Sequence, residues 1–510
     1  MGFLETQQAD VLRRWGVPDK IFWPPYLFPP AHVRILMYAE GSVQFTGGPF
    51  QGLTHVLATL AADPWFWVKF DVTKAHRGSD PSANRQHVLL TDFNLSADFD
   101  EIWLFGSSSG DLLTAGEKAA LADFMDNHKG GVLATGDHAS LGQGIAGAVP
   151  RAGKMRLYPA PDAIPPGWNT TIVEGSDPGT TYDFNDQSDD VPQQIRWKKY
   201  PLWSPFATPF RRSVRPHPLL CGPDGPINVL PDHEHEGEAI VPATLPAAEW
   251  PSGPGGQVKP EVIAWGRIKD PSATKTGQEI GVISAYDGHE AAVGRVAADA
   301  TWHHFFDINL NGLPGDPVYH GFSASVSGQA ALKKIEAYYL NLAVWLAPPA
   351  KQAQMRSAAS WYIIWKDRFV ELSQSALLLQ DSAFAHLFVG EQAIDALGRI
   401  APVCTVHQWF YFDVLRAIDP SLLTHLRGLL EHEAVVPHFL GQFVVGAAFS
   451  ELIRKFGPDA HGGGLPKGPP DAEAFHAALL HSAARGIAST QDYFRGLADS
   501  AERIVPKPVG

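Results

Sequence analysis

Gly130–Gly142 reads GGVLATGDHASLG. Val132–Thr135 is a short apolar run behind a glycine pair, the pattern of a buried strand. The chain then turns at Gly136-Asp137-His138 into a stretch of small residues. Ligands of open α/β sheets bind beyond the carboxyl ends of the strands. Asp137 and His138 are therefore expected at that rim, and every other polar cluster is weighed by whether it can reach them.

Outward from this stretch the pattern is α/β. Val33–Tyr38 reads as a strand with Glu40-Gly41-Ser42 as its exit loop. Phe50–Ala62 reads as a helix, and Phe66–Val72 and Phe99–Phe105 as further strands. Thr114 and Glu117 form a capping box that opens a helix over Ala115–Asn127. This alternation predicts a parallel sheet with right-handed crossovers. Residues 143–260 break the rhythm, being rich in Pro, Gly, Asp and Trp with little periodicity; the stretch is too long for a plain loop, and such long insertions are usually functional lids or binding loops. Strands resume at Glu261–Ile268, Gly281–Tyr286 and Gly294–Asp299. A helix over Gln329–Leu346 is stopped by Pro348-Pro349.

The flanks differ. Residues 1–32 are expected to be an extended arm, because Phe22-Trp23-Pro24-Pro25-Tyr26 and Phe28-Pro29-Pro30 cannot form regular helix. Beyond residue 350, helical apolar patterns cover Ser357–Leu379, Ala383–Ile400, Leu422–Glu433 and Pro437–Phe456. A Gly/Pro linker at Gly462–Pro470 precedes one or two helices over Asp471–Ile504. The expected organisation is an arm (1–32), an α/β domain (33–347) with an insertion at 143–260, and a separate all-α domain (350–510). The histidines of that last domain read as packing or surface residues.

With 510 residues, 45% apolar and 18% charged, the chain has ample core for two or three domains. A net charge of −14 argues against a nucleic-acid partner. Two isolated cysteines, Cys221 and Cys404, exclude a disulfide framework and a CxxC metal site. No apolar run reaches the ~18 residues of a membrane span, and the N-terminus lacks an apolar signal core. Gly2 and Thr6 match a myristoylation pattern that short sequences often meet by chance. The expectation is a cytoplasmic protein acting on a small molecule, with the helical domain available for a protein partner or for homo-oligomerisation.

Three polar clusters could carry chemistry. The first is Asp137-His138. The second is Pro231–Gly237, PDHEHEG. On extended backbone His233 and His235 share a face, opposite Asp232, Glu234 and Glu236. Two imidazoles so spaced are a ready pair for zinc, manganese or iron, with His138 or His303 joining them. The bland reading is a solvated acidic loop. The third is Asp299–Asp307, DATWHHFFD. Thr301 can cap a short helix, and His303 and Asp307, four residues apart, would share a face. An Asp that accepts from a His fixes its tautomer. His303 and His304 are not both expected to face inward, and His303 is preferred. The bland reading is a helix start among packed aromatics. Gly106–Gly110, GSSSG, also fits the nucleophile-elbow pattern around Ser108, although the elbow needs a helix directly behind the serine. The same loop could offer backbone N–H groups to an oxyanion.

FDEIWLFG, LTAGEKAALADFMDNHKGGVLATGDHA, GRVAADATWHHFFDINL and YYLNLAVWLAP together resemble the ThuA-like (trehalose-utilisation) branch of the class I glutamine-amidotransferase-like superfamily. The resemblance spans about residues 33–346, roughly three fifths of the chain. It implies a flavodoxin-like sheet with a site at the turn holding His138 and near His303, and a link to sugar metabolism. Glutamine amidotransferases carry a catalytic Cys at this turn. Here it holds Asp137 and His138, and Cys221 lies in the insertion, so glutaminase chemistry is not implied.

Two functions follow. In the first, a metal-dependent hydrolase, His233, His235 and one of Asp137, His138 or His303 hold a divalent ion that activates water. Glu236 or Asp299 is then the general base. Trp168, Trp197, Trp203 and Trp250 would wall a pocket for a small, carbohydrate-derived substrate. In the second, the α/β domain is a non-catalytic binding or scaffold module. Serine hydrolysis through Ser108 is a third reading.

Overall fold

The computed structural model describes residues 3–16, 28–137, 140–158, 192–201, 214–231, 237–267, 277–317, 319–365, 369–371, 382–421, 435–462 and 466–504. The chain divides into two compact units. One is Met1–Ile21, His32–Lys199 and Pro216–Gln352; the other is Phe22–Ala31, Tyr200–Arg215 and Ala353–Gly510. The second unit thus takes in pieces that the sequence reading assigned to the arm and the insertion.

The first unit is built on a nine-stranded, mostly parallel sheet. Its strands are β1 (Ala31–Glu40), β2 (Val68–His76), β3 (Arg85–Gln86), β4 (Glu101–Gly106), β5 (Gly131–Ala134), β6 (Arg196–Trp197), β7 (Glu261–Arg267), β8 (Glu279–Tyr286) and β9 (Val296–Asp299). Their spatial order is β3-β2-β1-β4-β5-β9-β8-β7-β6. The pairs β1–β4, β4–β5, β5–β9 and β2–β3 are parallel. The remaining edge departs from the all-parallel expectation, since β9–β8, β8–β7 and β7–β6 are antiparallel. The cause is connection length. Only residues 287–295 join β8 to β9, and a parallel crossover needs a dozen or more residues. The insertion, expected to be irregular, supplies the edge strand β6.

Alternation along the central strands fills both faces of the sheet. Leu36 and Tyr38 of β1 and Ile102 and Leu104 of β4 join Val132, Ala134, Phe124 and Met125 in one buried cluster. Trp103 and Phe105 serve the other face, where Phe105 meets Phe305 edge-on at 5.4 Å and Phe305 stacks on Tyr339 at 5.4 Å. Burial on both faces is why these strands read as continuous apolar runs. Gly131 is required by close packing: a Cβ there would lie 2.3 Å from the Leu346 carbonyl oxygen.

The helices of this unit include α1 (Phe3–Trp15), α2 (Thr54–Ala61), α3 (Ala115–Asp126), α4 (Asp307–Asn311) and α5 (Val326–Leu346), besides single turns at Leu95–Asp98 and Gln143–Ala146. The capping box of α3 forms as the sequence predicts. Thr114 Oγ1 accepts from the Glu117 N–H at 3.2 Å, and Glu117 Oε2 accepts from the Thr114 N–H at 2.9 Å. Glu117 also accepts from Arg77 at 2.6 Å. The expected extended arm is instead helical over Phe3–Trp15. Gln8 Nε2 donates to the Ala61 carbonyl at 2.6 Å, and Trp15 Nε1 donates to buried Glu336 at 2.9 Å. FLETQQADVLRRW itself contains no helix breaker, and the prolines begin only at Pro18; Phe22–Tyr26 lies outside the described residues.

The second unit is largely helical. It contains α6 (Pro349–Ile364) from Ala353 onward, α7 (Ala383–Gly398), α8 (Val403–His407), a π-helical turn at Gln408–Val414, α9 (Leu415–Ile418), α10 (Val435–Phe456) and a single long α11 (Ala472–Ile504). Pro349 begins α6, as proline can at a first helical position. The helix expected at Leu422–Glu433 lies outside the described residues. Among the described residues no helix is long and apolar enough to cross a membrane.

Candidate active site at the carboxyl edge of the sheet

Four loops leave the carboxyl ends of neighbouring parallel strands and are tied to one another. After β5 the chain turns with the Asp137 N–H donating to the Leu141 carbonyl at 3.1 Å. Gly142 closes the turn at φ +88°, and a Cβ there would lie 2.6 Å from Gly136 Cα. The loop after β4 is fastened to this turn: the Gly144 N–H donates to the Ser108 carbonyl at 3.0 Å, and Ser140 Oγ donates to Ser109 Oγ at 2.9 Å. The loop after β9 joins through the Trp302 N–H, which donates to the Gly136 carbonyl at 2.6 Å. The loop after β1 reaches it through Phe50, which stacks on Phe306 at 4.6 Å and meets the His303 ring edge-on at 5.7 Å.

Within this frame Asp137 and His303 come together. Both are buried. His303 Nε2 lies 3.7 Å from Asp137 Oδ2. Thr301 Oγ1 donates to Asp137 Oδ1 at 3.2 Å and accepts from the His303 N–H at 3.1 Å. Thr301 is thus the cap that the sequence predicts, on a 3₁₀ turn Trp302–His304. The far nitrogen, His303 Nδ1, is 2.7 Å from Asn309 Oδ1. With Nδ1 donating to that amide oxygen, Nε2 is the ring nitrogen that faces Asp137.

Other expectations for this cluster need correcting. Asp307 does not share a face with His303. Its carboxylate caps α2, accepting from the Thr54 N–H at 2.9 Å, from the His55 N–H at 2.8 Å and from the Thr54 hydroxyl. The i, i+4 spacing fails because the helix starts only at Asp307, after the 3₁₀ turn. Burial pushes the Asp307 carboxyl up, against the lowering effect of those hydrogen bonds. His303 and His304 are both buried, on different partners. His304 Nδ1 is 2.6 Å from Asp299 Oδ1, and Tyr338 donates its hydroxyl to Asp299 Oδ2 at 2.7 Å. With the Thr301 N–H also donating to it at 3.2 Å, Asp299 is a core anchor rather than a base held toward a substrate. Trp250 has no place in a pocket wall. It is fully buried against Tyr286, ring to ring at 5.2 Å.

Two residues that the sequence reading did not single out complete the rim. Arg156 is fully buried, and its guanidinium donates to the Ala300 carbonyl at 2.6 and 3.0 Å, to the Leu157 carbonyl at 3.1 Å and to the Asp137 carbonyl. Desolvation lowers its pKa from the usual arginine range. It clamps the β5 and β9 turns together, and nothing in its Pro/Gly-rich surroundings signals that task. Asn309 is the other, hidden because amides carry no motif.

His138, His233, His235 and Glu236 lie outside the described residues, as do Trp168 and Trp203. Gly237, which follows Glu236, donates its N–H to the Ala300 carbonyl at 3.1 Å, one residue from both Asp299 and Thr301. Among the described residues no group of three or more His, Cys, Asp or Glu side chains could hold a metal. At the other end of the rim, buried Glu40 accepts from the Ser108 N–H at 2.8 Å and from the Ser108 hydroxyl at 2.5 Å. Among the described residues no imidazole is hydrogen-bonded to Ser108. Helix α3 begins only at Ala115, so the immediate helix of a nucleophile elbow is missing as well.

Compared with family models, curated proteins and solved structures, the chain gives no match.

Proposed function

We propose that this protein is a metal-dependent hydrolase of a small, carbohydrate-derived substrate, with Asp137 and His303 at the centre of its site. The observation that carries the reading is their 3.7 Å spacing, with the far ring nitrogen held by Asn309. Two ligand atoms each about 2.1 Å from a tetrahedral ion stand about 3.4 Å apart, so the pair fits two positions of one ion. The Asn309 contact is the outer hydrogen bond that metal-ligating histidines almost always make. His233 and His235 are the proposed completing ligands, and the Gly237–Ala300 hydrogen bond supports bringing that segment to the rim. When bound, the ion would lower the pKa of its water and polarise a substrate oxygen. The chain's own part is to hold the carboxylate through Thr301, the imidazole through Asn309 and the turns through Arg156.

The strands β2-β1-β4-β5-β9, numbered among themselves, follow the order 2-1-3-4-5. That order supports a flavodoxin-like sheet and is compatible with the proposed ThuA-like relationship. The competing reading is a metal-free binding module.

Metal analysis of the purified protein, paired with a screen of glycoside, ester and phosphate substrates, tests the proposal. About one equivalent of metal, lost together with hydrolysis in Asp137→Ala and His303→Ala, is expected. Metal-free protein that hydrolyses nothing yet binds small ligands would replace it with the binding-module reading.

A further inference from the structure

Helix α1 is held on its unit largely by polar contacts. Of its described side chains only Val11 is fully buried. Gln8 donates to the Ala61 carbonyl at the end of α2. The other anchor is Glu336 of α5, which is wholly buried. Arg14 meets this carboxylate at 2.9 Å, and the Trp15 indole N–H donates to it at 2.9 Å. Among the described residues no other arginine or lysine pairs with Glu336. From Glu336 the contacts continue to the rim. His55 Nε2 lies 3.1 Å from Glu336 Oε1. The His55 N–H donates to Asp307 at 2.8 Å, and the Asp307 N–H donates in return to the Gly52 carbonyl at 2.9 Å. Asp307 opens α4, the short helix whose Asn309 faces His303 Nδ1 at 2.7 Å. A buried carboxylate that loses its cation is strongly destabilising, so the loss of Arg14 would be felt at His55 and at the start of α4.

We infer that α1 is a reversible brace of the rim site. Docked, its Arg14 neutralises Glu336 and so keeps His55, α4 and the ring of His303 in place. Released, it lets that segment loosen while the rest of the sheet stays folded. Release is cheap, because a helix of 13 residues is marginal by itself in water. Segments with few buried contacts also open well below the cost of global unfolding. The inference rests on the hydrolase reading only for the role of His303, and the linkage from α1 to α4 needs no metal.

The test is amide hydrogen exchange of the full chain, read by mass spectrometry on peptides from α1, α2, α3 and α4. Arg14→Ala should speed exchange about tenfold in α1, at the start of α2 and in α4, the effect of one lost charge-assisted hydrogen bond. It should leave α3 unchanged. Arg13→Ala is the control, because Arg13 pairs within α1, with Asp10 at 2.7 Å; its α4 should exchange as in the wild type. Adding Glu336→Gln to Arg14→Ala removes the buried charge and keeps an acceptor for Trp15. The double variant should bring α4 back to within about twofold of the wild type, a rescue that plain loss of packing would not give. Trp15→Phe, which deletes the indole N–H on Glu336, should repeat the Arg14→Ala pattern at smaller size, and it decides the matter if Arg14→Ala exchanges throughout. Exchange that rises in α1 but keeps the wild-type rate in α4 overturns the inference. So does an α1 that neither variant opens, or an equal effect of Arg13→Ala and Arg14→Ala. Metal-free wild-type protein would defeat the hydrolase reading and leave these results as they stand.

Discussion

His303 Nε2 stands 3.7 Å from Asp137 Oδ2, and the two residues follow neighbouring parallel strands, β9 and β5. Behind the pair, Asn309 Oδ1 lies 2.7 Å from His303 Nδ1. Asn309→Ala should therefore leave the fold intact and free the ring. Loss of such a supporting hydrogen bond typically costs 10–100-fold in metal affinity or activity. Titration with Zn²⁺ and Mn²⁺ should show a fall of about that size. An unchanged affinity would place the ring's control elsewhere.

Asp307 serves α2 rather than the site. Asp307→Ala removes the acceptor of the Thr54 and His55 N–H groups, both buried. A lost cap and unsatisfied buried donors together predict a destabilisation of about 2–4 kcal/mol. Urea unfolding checks this. A loss below about 0.5 kcal/mol, the scale of a plain surface substitution, would show that the carboxylate is not the cap.

Asp63 gives the stability a pH dependence. It has a positive φ of 45°, and burial raises its carboxyl to about 6, against the lowering influence of the Phe70 N–H and Lys69. The folded state thus holds a proton that the unfolded chain releases near pH 4. Stability from this group is full below about pH 4 and is lost as pH rises towards about 6. Such a rise would be worth about 3 kcal/mol in full burial, and partial exposure cuts it to about 1 kcal/mol. Asp63→Asn keeps the acceptor for Phe70 and suits the left-handed backbone. It should stabilise the protein by about 1 kcal/mol at pH 7.5 and change nothing at pH 4. Thermal melts at the two pH values decide, and an equal effect at both would refute the assignment.

Ser108 should not react as an activated nucleophile. Its hydroxyl is committed to Glu40 at 2.5 Å, a partner that fixes the loop after β4. A fluorophosphonate probe is expected to leave Ser108 unlabelled, as read by peptide mass spectrometry. Stoichiometric labelling at this residue would restore the serine-hydrolase reading.

Strong periodic signals in the chain translated directly into structure. GGVLATG became β5 and its turn, and the Thr114–Glu117 box opened α3 as its spacing requires. Direction within the sheet did not translate, because apolar runs such as Gly281–Tyr286 look alike in parallel and antiparallel pairing. At the rim, Asp137 and His303 were legible because each follows a buried strand. Asn309 and Arg156 were not, because their tasks arise from contacts across 6 and 144 residues of chain that no local pattern encodes. The helical propensity of Phe3–Trp15 was overshadowed by the prolines that follow it.

The central claim rests on an ion held by Asp137 and His303, with His233 and His235 as its remaining ligands. Elemental analysis by mass spectrometry of wild-type protein, Asp137→Ala, His303→Ala and the His233→Ala/His235→Ala double variant, each confirmed folded by circular dichroism, measures it directly. The wild type should carry about one equivalent of zinc, manganese or iron, and each variant far less. Wild-type protein that is folded, hydrolytically active and free of metal would contradict the claim, and so would metal retained in full by all three variants.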